Sequence, residues 1–447
     1  MSQPFQLIAS AEALLAPRSE QRILPGLERM QRALDALGHP ERGFASVLVL
    51  GTNGKGSTAA LLASILQAHN ERVGLYTSPH LVAVEERIRV DGARITGMRM
   101  SELVRGLNRF PDLSYFETLT CAALVEFAER GVRVAVLEAG LGGRWDAVNA
   151  VDPVLSLLTN AGTDHQAWLG GTRAAIAAEK AAALRGHEGI IGAWDPEVEG
   201  AIRANADPTT PLSLAPQWAK LAEASGPGSG VRPSRRPRRR SLGVAPIRAP
   251  GVPEHLAQFV RYTIGDLVGE ARLPLAGAHQ LANLLLALAG AAALARHGVI
   301  GPLGAAEIAT GIERVDWPGR LQWLQWHGKA LLLDGAHNLE AMRALAFSLD
   351  QLGLSGKVHL LFSCLADKPL AEMAALLRPR VGGVTVAPIA SPRATPVEAL
   401  GAHFPGCATA GSVGEALATL PSDRPTLVTG SLRLVGEVLA EVGGDHD

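Results

Sequence analysis

The feature that most constrains this chain is a glycine-rich turn between a predicted strand and a predicted helix. The apolar run 45–50 leads into Gly51-Thr52-Asn53-Gly54-Lys55-Gly56-Ser57-Thr58, and a helix-like stretch, 59–68, follows at once. Such a junction points backbone N–H groups and the positive end of a helix dipole at one place, where a lysine ammonium can reach the outer phosphates. The turn therefore predicts a site for a nucleoside triphosphate.

The turn departs from the usual phosphate-loop pattern G-x-x-x-x-G-K-[ST]. Val49 stands where the pattern has its first glycine, and Gly56 separates Lys55 from Ser57. A plain glycine-rich strand-to-helix turn is the alternative. Lysine is rare in this chain and arginine supplies nearly all other positive charge. A lysine kept in this loop therefore favours a compact point charge over a planar guanidinium.

The length of the chain predicts more than one domain. With 447 residues, it exceeds the roughly 100 to 200 residues of a typical domain, and we expect two domains, 1–316 and 317–447. A Pro-, Gly- and Arg-rich stretch near 224–253 is predicted to be a mobile insertion in the first domain, with an RNA tether through Arg232–Arg240 as the alternative. The net charge of -1 gives no overall field toward nucleic acid or an acidic membrane.

The cysteines and apolar stretches indicate a cytoplasmic protein. Cys121, Cys364 and Cys407 are odd in number and lack the spacing of metal ligands. Met1–Leu15 has no basic start followed by an apolar block, so no secretory signal is predicted. Leu281–Ala295 falls short of the roughly 20 apolar residues that span a membrane, so we expect a buried helix and no membrane partner. We also expect a monomer.

Short β-rich runs alternate with amphipathic helices along both predicted domains. Strands are expected near 73–77, 132–137 and 154–158, and again near 330–333, 358–362 and 426–429. This alternation predicts an α/β protein with an N-terminal P-loop domain, built on a doubly wound and mostly parallel sheet, and a C-terminal Rossmann-like α/β domain. Ligands of such sheets bind at the carboxyl ends of the strands.

Three polar side chains follow strands or lie in an apolar helix of the first domain. Glu138 ends an apolar strand and can hold a magnesium ion, with an ion pair to Arg144 or a helix cap as the alternative. His165 follows the next strand, as a metal or phosphate contact or as an ordinary loop residue. Lys180 lies in an apolar helix, where it either pairs with a nearby acid or loses its proton and becomes reactive.

A similar strand-to-turn junction occurs in the second domain, at Asp334-Gly335-Ala336-His337-Asn338. Asp334 could accept hydrogen bonds from a ribose, and His337 could contact phosphates or the reacting group. The alternative is a local role, since Asp334 or Asn338 would make a good helix N-cap.

Taken together, these motifs resemble the folylpolyglutamate synthase and dihydrofolate synthase family, the folate branch of the Mur ligase superfamily. The resemblance extends from about Gly26 to Glu441. It is carried by 51–58, 77–80, 116–120, 138–149, 163–170, 179–180, 279–280 with Asn283, 317–320, 334–338, 367–368 and 430–432.

The resemblance implies site residues and cofactors. It implies ATP, two Mg²⁺ ions, and a CO₂-derived carbamate on Lys180 that turns a cation into a metal-binding carboxylate. The residues implied in metal binding are Ser57, Ser78, Glu138, His165 and Lys180. Those implied in nucleotide binding or catalysis are Lys55, Asn283, Arg320, Asp334 and His337, and those implied in substrate binding are His80, Phe116 and Ser431.

The resemblance also implies a reaction, in which ATP activates a carboxylate as an acyl phosphate that the amine of L-glutamate then attacks. The implied acceptors are dihydropteroate, a tetrahydrofolate species with its glutamyl tail, or both. Two alternatives stay open at this point: a Mur-type ligase acting on another acceptor, and a P-loop NTPase switch with an RNA tether.

Overall fold

The structure is a computed structural model that describes residues 10–18, 24–162, 164, 169–192, 195–223 and 257–444. Two predictions fall outside these residues: the insertion near 224–253 and the role of His165. The chain divides into two compact units. The first takes the described residues of Met1–Ala222, Arg261–Ala271 and Ala282–Val315, and the second takes those of Glu223–Val260, Arg272–Leu281 and Asp316–Asp447.

A mostly parallel sheet forms the core of the first unit. Among the described residues its strands are β1 (Ala45–Leu50), β2 (Val73–Tyr76), β3 (Ile88–Val90), β4 (Ala93–Arg94), β5 (Val134–Glu138), β6 (Leu155–Leu158), β7 (Glu188–Ile191) and β8 (Leu212–Leu214). Their order is β4-β3-β2-β5-β1-β6-β7-β8, and only β3 and β4 run antiparallel to their neighbours. Because β1, β5 and β6 are parallel neighbours, their carboxyl ends meet at one edge.

Helices flank this sheet and bury its faces. They are α1 (Ala11–Leu15), α2 (Glu28–Ala36), α3 (Lys55–Ala68), α4 (Gly97–Leu107), α5 (Tyr115–Glu129), α6 (Arg173–Ala181), α7 (Pro196–Asn205), α8 (Ala215–Trp218), α9 (Ala278–Arg296) and α10 (Ala305–Arg314), with 3₁₀ turns at Pro40–Gly43, Val84–Arg87 and Ala147–Ala150. Residues of β1 and most of α3 are fully buried, as the apolar sequence around the phosphate loop predicts. Strands β9 (Lys220–Glu223), β10 (Gln258–Ile264) and β11 (Leu267–Leu273) form a small separate sheet in the order β11-β10-β9.

The second unit is built on a separate mostly parallel sheet. Its strands are β12 (Gln322–Trp326), β13 (Lys329–Leu333), β14 (Val358–Phe362), β15 (Val381–Val386), β16 (Ala408–Thr409) and β17 (Thr426–Thr429), in the order β12-β13-β17-β14-β15-β16. Only β12 pairs antiparallel, through a hairpin with β13. The accompanying helices are α11 (Leu339–Gln351), α12 (Leu370–Leu377), α13 (Val397–Ala402), α14 (Val413–Thr419) and α15 (Leu432–Gly444), with a 3₁₀ turn at Arg378–Arg380. The predicted α/β fold class, with two parallel-sheet units, is confirmed.

Helix α9 is the longest apolar segment of the described chain. By length and composition alone it could cross a membrane, and 67% of its most apolar 18-residue window is buried inside the protein. Leu284, Leu288 and Leu294 are among its buried side chains. The helix therefore has the burial expected of a core element.

Helices α3 and α10 approach closely at Gly311. A Cβ atom added there would lie 2.5 Å from the Ile65 Cα atom and 2.9 Å from the Ser64 carbonyl oxygen, both backbone atoms that cannot move aside. The Ser64 hydroxyl also donates a 2.6 Å hydrogen bond to the Gly311 carbonyl. Any side chain at this position would force the two helices apart.

We expect Gly311→Ala to lower the free energy of unfolding by about 1–3 kcal/mol through overpacking. The matched control is Gly200→Ala in α7, where an added Cβ meets no atom within 4 Å. That change should stabilise the protein by about 0.5–1 kcal/mol, since alanine is the better helix former. Denaturant unfolding of both variants checks the prediction, and equal effects in the two would contradict it.

Candidate active site

The phosphate loop contains two glycines that no other residue could replace without strain. Gly51 has φ +142° and Gly54, the N-cap of α3, has φ +83°. A Cβ on Gly51 would lie 1.8 Å from the Thr159 Oγ1 atom, and one on Gly54 would lie 2.2 Å from the Asn283 Oδ1 atom. The loop thus depends on glycine for its backbone conformation and for close approach of its neighbours.

The end of β6 fixes the conformation of this loop. The Thr52 N–H donates to the Asn160 carbonyl at 3.1 Å, and the Asn53 N–H donates to the Asn160 side-chain oxygen at 3.1 Å. The Asn53 carbonyl accepts from the Thr159 hydroxyl at 2.6 Å and from the Asn160 amide at 2.9 Å. Asn283, which the resemblance implies in nucleotide binding, lies against Gly54 of the loop.

Two lysines that are distant in sequence meet at the phosphate loop. The Lys55 ammonium donates to the Thr52 carbonyl at 3.2 Å, and the Lys180 Nζ atom donates to the Gly51 carbonyl at 2.9 Å. Lys180 is almost fully buried. Burial, and then the positive charge of Lys55, lowers the pKa of Lys180 to about 7, against the raising effect of Asp146 and Asp164.

Of the residues predicted to bind metal, Ser57, Ser78 and Glu138 carry side-chain oxygen atoms. Glu138 is buried at the end of β5, and its Oε2 atom accepts a 2.9 Å hydrogen bond from the Ser78 N–H. Ser57 is buried in the first turn of α3. Carboxylate and hydroxyl oxygens suit Mg²⁺, so this donor set fits the implied ion. Within the described ranges, which omit His165, no group of three or more His, Cys, Asp or Glu side chains could hold a metal.

One alternative for Glu138 was an ion pair with Arg144, and the structure, which describes both residues, does not show that pair. The Arg144 guanidinium pairs instead with Glu179, with its Nε atom 3.3 Å from the Glu179 Oε1 atom. The Arg144 N–H also donates to the Glu179 carbonyl at 3.1 Å. The loop after β5 is therefore anchored to the helix that carries Lys180.

Asp146 is a buried acid in this region that the sequence reasoning missed. Its Oδ2 atom accepts from the Leu141 N–H at 2.7 Å, and its Oδ1 atom accepts from the Val148 N–H at 3.1 Å. Burial raises the pKa of Asp146 to about 6, although these N–H donors and Lys55 oppose the shift. The signal in the sequence was weak, because an Asp before a short 3₁₀ turn looks like an ordinary cap.

Of the predicted substrate residues, His80 contacts Arg87 and Phe116 contacts the Tyr76 ring. The buried Arg87 donates from Nε to the His80 Nδ1 atom at 3.0 Å, and its guanidinium lies 5.4 Å from the centre of the Tyr115 ring. Because arginine cannot accept a hydrogen bond, Nδ1 must be the unprotonated nitrogen of His80. The Phe116 ring lies 5.8 Å from that of Tyr76. Sequence reasoning did not identify Arg87, whose partners are apparent only in the fold.

In the second unit, Asp334 caps a turn at the end of β13. Its two carboxylate oxygens accept from the Leu321 N–H at 3.0 Å and from the Ala336 N–H at 2.9 Å. Of the two N-cap candidates, Asn338 is the one that caps α11, by accepting from the Ala341 N–H at 2.9 Å. Asp334 instead positions the backbone next to Arg320.

The other predicted residues of the second unit lie on turns around Asp334. The Arg320 Nη1 atom donates to the Gly319 carbonyl at 2.9 Å, and the His337 Nδ1 atom donates to the Gly335 carbonyl at 2.8 Å. Ser431, directly before α15, accepts from the Arg433 N–H at 3.1 Å. His279 lies close enough to these residues to feel their charges. Burial chiefly lowers the pKa of its imidazole, the negative charge of Asp334 raises it, and the positive charge of Arg320 lowers it.

Comparison with protein families matches two segments of the chain. Residues 49–207 match the Mur ligase middle domain, and residues 319–432 match the Mur ligase glutamate ligase domain. A Bacillus subtilis dihydrofolate synthase/folylpolyglutamate synthase is 31% identical over 88% of this chain and 87% of the relative. This chain belongs to that family. It is also 34% identical to a probable bifunctional folylpolyglutamate synthase/dihydropteroate synthase of Haloferax volcanii, of which it spans only about half the length, 48%.

Solved structures of family members agree in fold with this chain. Escherichia coli FolC in complex with DHPP and ADP has a TM-score of 0.80 and 27% identity, covering 98% of this chain and 99% of that one. A bifunctional folylpolyglutamate synthase/dihydrofolate synthase with Mn, AMPPNP and L-glutamate bound has a TM-score of 0.77 and 27% identity, covering 98% and 99%. The predicted family and fold class are confirmed, and relatives of this chain bind an adenine nucleotide and a divalent metal ion.

We expect Gly54→Ala to weaken binding of a non-hydrolysable ATP analogue at least about tenfold, or ~1.4 kcal/mol. The added methyl group would clash with Asn283 and would strain a loop that needs positive φ. The control is Gly131→Ala, which has φ +63° but no atom within 4 Å of the added Cβ. Calorimetric titration should show unchanged affinity for the control, whereas an equal loss in both would mean that backbone strain alone is responsible.

Proposed function

We propose that this protein uses ATP to join L-glutamate to dihydropteroate, to the glutamyl tail of a reduced folate, or to both. The observation that carries the proposal is the convergence on one loop of Lys55 and Lys180, next to the strand end that carries Glu138. Phosphoryl transfer needs charge neutralisation and positioning more than covalent chemistry, and this site supplies both. The membership of the chain in the family supports the same activity.

The reaction has two steps. An oxygen of the acceptor carboxylate attacks the γ-phosphorus of ATP, ADP leaves, and an acyl phosphate forms. The amine of L-glutamate then attacks the acyl carbon, phosphate leaves, and the nitrogen loses a proton as the amide forms. Lys55 neutralises charge on the outer phosphates, and the N–H groups of 51–58 at the start of α3 orient them.

We assign the remaining residues by the family resemblance. Asn283 and Asp334 bind the nucleoside side of ATP, Arg320 and His337 contact its phosphates, His80 and Phe116 contact the acceptor, and Ser431 contacts L-glutamate. Ser57, Ser78, Glu138, His165 and Lys180 would hold two magnesium ions. When bound, these ions supply further neutralisation of phosphate charge.

We also propose the domain boundaries, the cellular compartment and the oligomeric state. Residues 1–316 form the ATP-binding domain and 317–447 form the ligase domain of a cytoplasmic monomer that acts on small molecules. The three cysteines of the chain are free thiols, in keeping with a reducing compartment. A Mur-type ligase for another acceptor and an NTPase switch with an RNA tether are the alternatives that the assay below distinguishes.

The direct test is magnesium- and ATP-dependent incorporation of labelled L-glutamate, with dihydropteroate and tetrahydrofolate as separate acceptors. We expect incorporation with at least one of them and at least about a hundredfold loss in Lys55→Ala, since removing one donor to the reacting charge typically costs 10²–10³. Incorporation with both acceptors identifies a bifunctional enzyme. Incorporation with neither, together with hydrolysis that RNA stimulates, would overturn the proposal in favour of the switch.

We further propose that Lys180 is carbamylated. CO₂ adds only to a neutral amine, and the lowered pKa of Lys180, about 7, leaves the amine increasingly neutral as pH rises through 7. Carbamate formation should therefore increase above pH 7 and be lost below it.

With ¹³C-bicarbonate, we expect a carbamate NMR signal in the wild type that rises with pH around 7 and is absent in Lys180→Arg. Lys180→Ala should lose most ligase activity and regain part of it with a short added carboxylate. Full activity of Lys180→Ala without any carboxylate would refute the carbamate, as would the absence of the signal from the wild type at pH 8.5.

A further inference from the structure

One arginine of α2 ties together two segments that are far apart in the sequence. Arg29 donates from Nε and Nη2 to the Glu117 carboxylate, with distances of 3.1 Å and 2.9 Å to Oε1. The same guanidinium donates to carbonyls of the segment directly before α2, at 2.7 Å to Leu24 and 3.3 Å to Gly26. Arg29 therefore bridges the segment Leu24–Gly26 and the first turn of α5.

The bridge is sheltered from water. The side chains of Arg29 and Glu117 are only 17% and 7% exposed. Glu117 also accepts a 2.7 Å hydrogen bond from the Ser114 N–H, and the Ser114 hydroxyl accepts in turn from the Glu117 N–H. This capping box fixes the start of α5, and it fixes the Glu117 carboxylate in the position where Arg29 meets it.

The first turn of α5 carries Phe116, the residue directly before Glu117. The Phe116 ring leaves no room for a side chain at residue 140, because a Cβ on Gly140 would lie 2.8 Å from its Cζ atom. Gly140 is two residues beyond Glu138, at the carboxyl end of β5. A continuous series of contacts thus connects Leu24–Gly26, through Arg29, Glu117 and Phe116, to the end of the strand that carries the predicted metal ligand.

This geometry needs arginine rather than any cation. The guanidinium reaches a carboxylate and two backbone carbonyls at once, through donors held in one plane. A lysine ammonium would keep the charge but could not meet all three acceptors from one position. A second ion pair joins Arg32 of α2 to Asp112, in the segment before α5, by one contact of 2.6 Å, and it is much more exposed, at 64% and 49%.

We propose that Arg29 is a positioning residue for the acceptor: by holding Leu24–Gly26 to the first turn of α5, it fixes the Phe116 ring against which the acceptor binds. The inference rests on the proposed function, since it takes Phe116 as part of the acceptor site. The hydrogen bonds of Arg29 go to α5 and to the segment before α2. Among the described residues, none goes to the phosphate loop, 51–58. The effect should therefore fall on the acceptor and leave nucleotide binding unchanged.

The test is steady-state kinetics of Arg29→Lys and Glu117→Gln, with each substrate varied in turn. We expect the KM for the acceptor to rise about tenfold in both variants, with kcat and the KM values for ATP and L-glutamate within twofold of the wild type. The double variant should show no further rise, because the two side chains act through one contact. Glu117→Gln guards against misfolding, because its amide oxygen can still accept from Ser114.

The matched control is Arg32→Lys, the same change three residues along the same helix, and it should leave the KM values unchanged. Equal changes in the KM for all three substrates, or a lowered melting temperature with unchanged KM values, would overturn the inference and leave Arg29 a purely structural residue. The wild-type measurement separates the two levels of proposal. No wild-type glutamate incorporation would overturn the proposed function and this inference with it, whereas normal wild-type turnover with an unaltered acceptor KM in the variants overturns the inference alone.

Discussion

The close packing of the phosphate loop against its neighbours is the constraint on which the site depends. Gly51 touches the Thr159 hydroxyl and Gly54 touches the Asn283 amide, so the end of β6 and helix α9 both approach the loop backbone itself. The loop is held by hydrogen bonds from Thr159 and Asn160 before any ligand binds. A loop fixed in this way loses little conformational entropy when phosphates bind, and this preorganisation favours binding.

Burial shifts the pKa values of two ionisable side chains near this loop, Lys180 and Asp146, toward neutral pH. Burial lowers the pKa of Lys180 to about 7 and raises that of Asp146 to about 6. The negative charge of Asp146 opposes the shift of Lys180, and the positive charge of Lys55 opposes the shift of Asp146. A site designed only for stability would bury apolar side chains here. The retained charges mark the region as functional, because perturbed ionisable groups cluster at reactive sites.

The sequence predicted those residues whose position follows from strand ends. The phosphate loop and Glu138 lie at the ends of apolar runs of the first sheet, and Asp334 follows an apolar run of the second. Each parallel sheet gathers such residues at its own carboxyl edge. Strands β1, β2, β5, β6, β13, β14 and β17 were likewise predicted from apolar runs, whereas β3, β4, β7, β8 and β16 were not predicted. The sequence could not predict Arg29, Arg87 or Asp146 as members of the site, because their roles come from tertiary contacts. The partners Arg29 and Glu117 are separated by 88 residues, and no periodic pattern connects them.

The contact between Lys180 and Gly51 explains how the lysine can change its chemical state without loss of the loop. As an ammonium, Lys180 donates a hydrogen bond to the Gly51 carbonyl. A neutral amine still has two N–H donors, and the nitrogen of the proposed carbamate would still have one. The hydrogen bond can therefore survive both deprotonation and carbamylation. Over the same changes, the charge of the Lys180 side chain goes from +1 through 0 to -1. An arginine could not follow this course, because its guanidinium stays protonated in proteins. The proposed carbamate therefore supplies a physical reason for lysine at this position in a chain whose positive charges are mostly arginines.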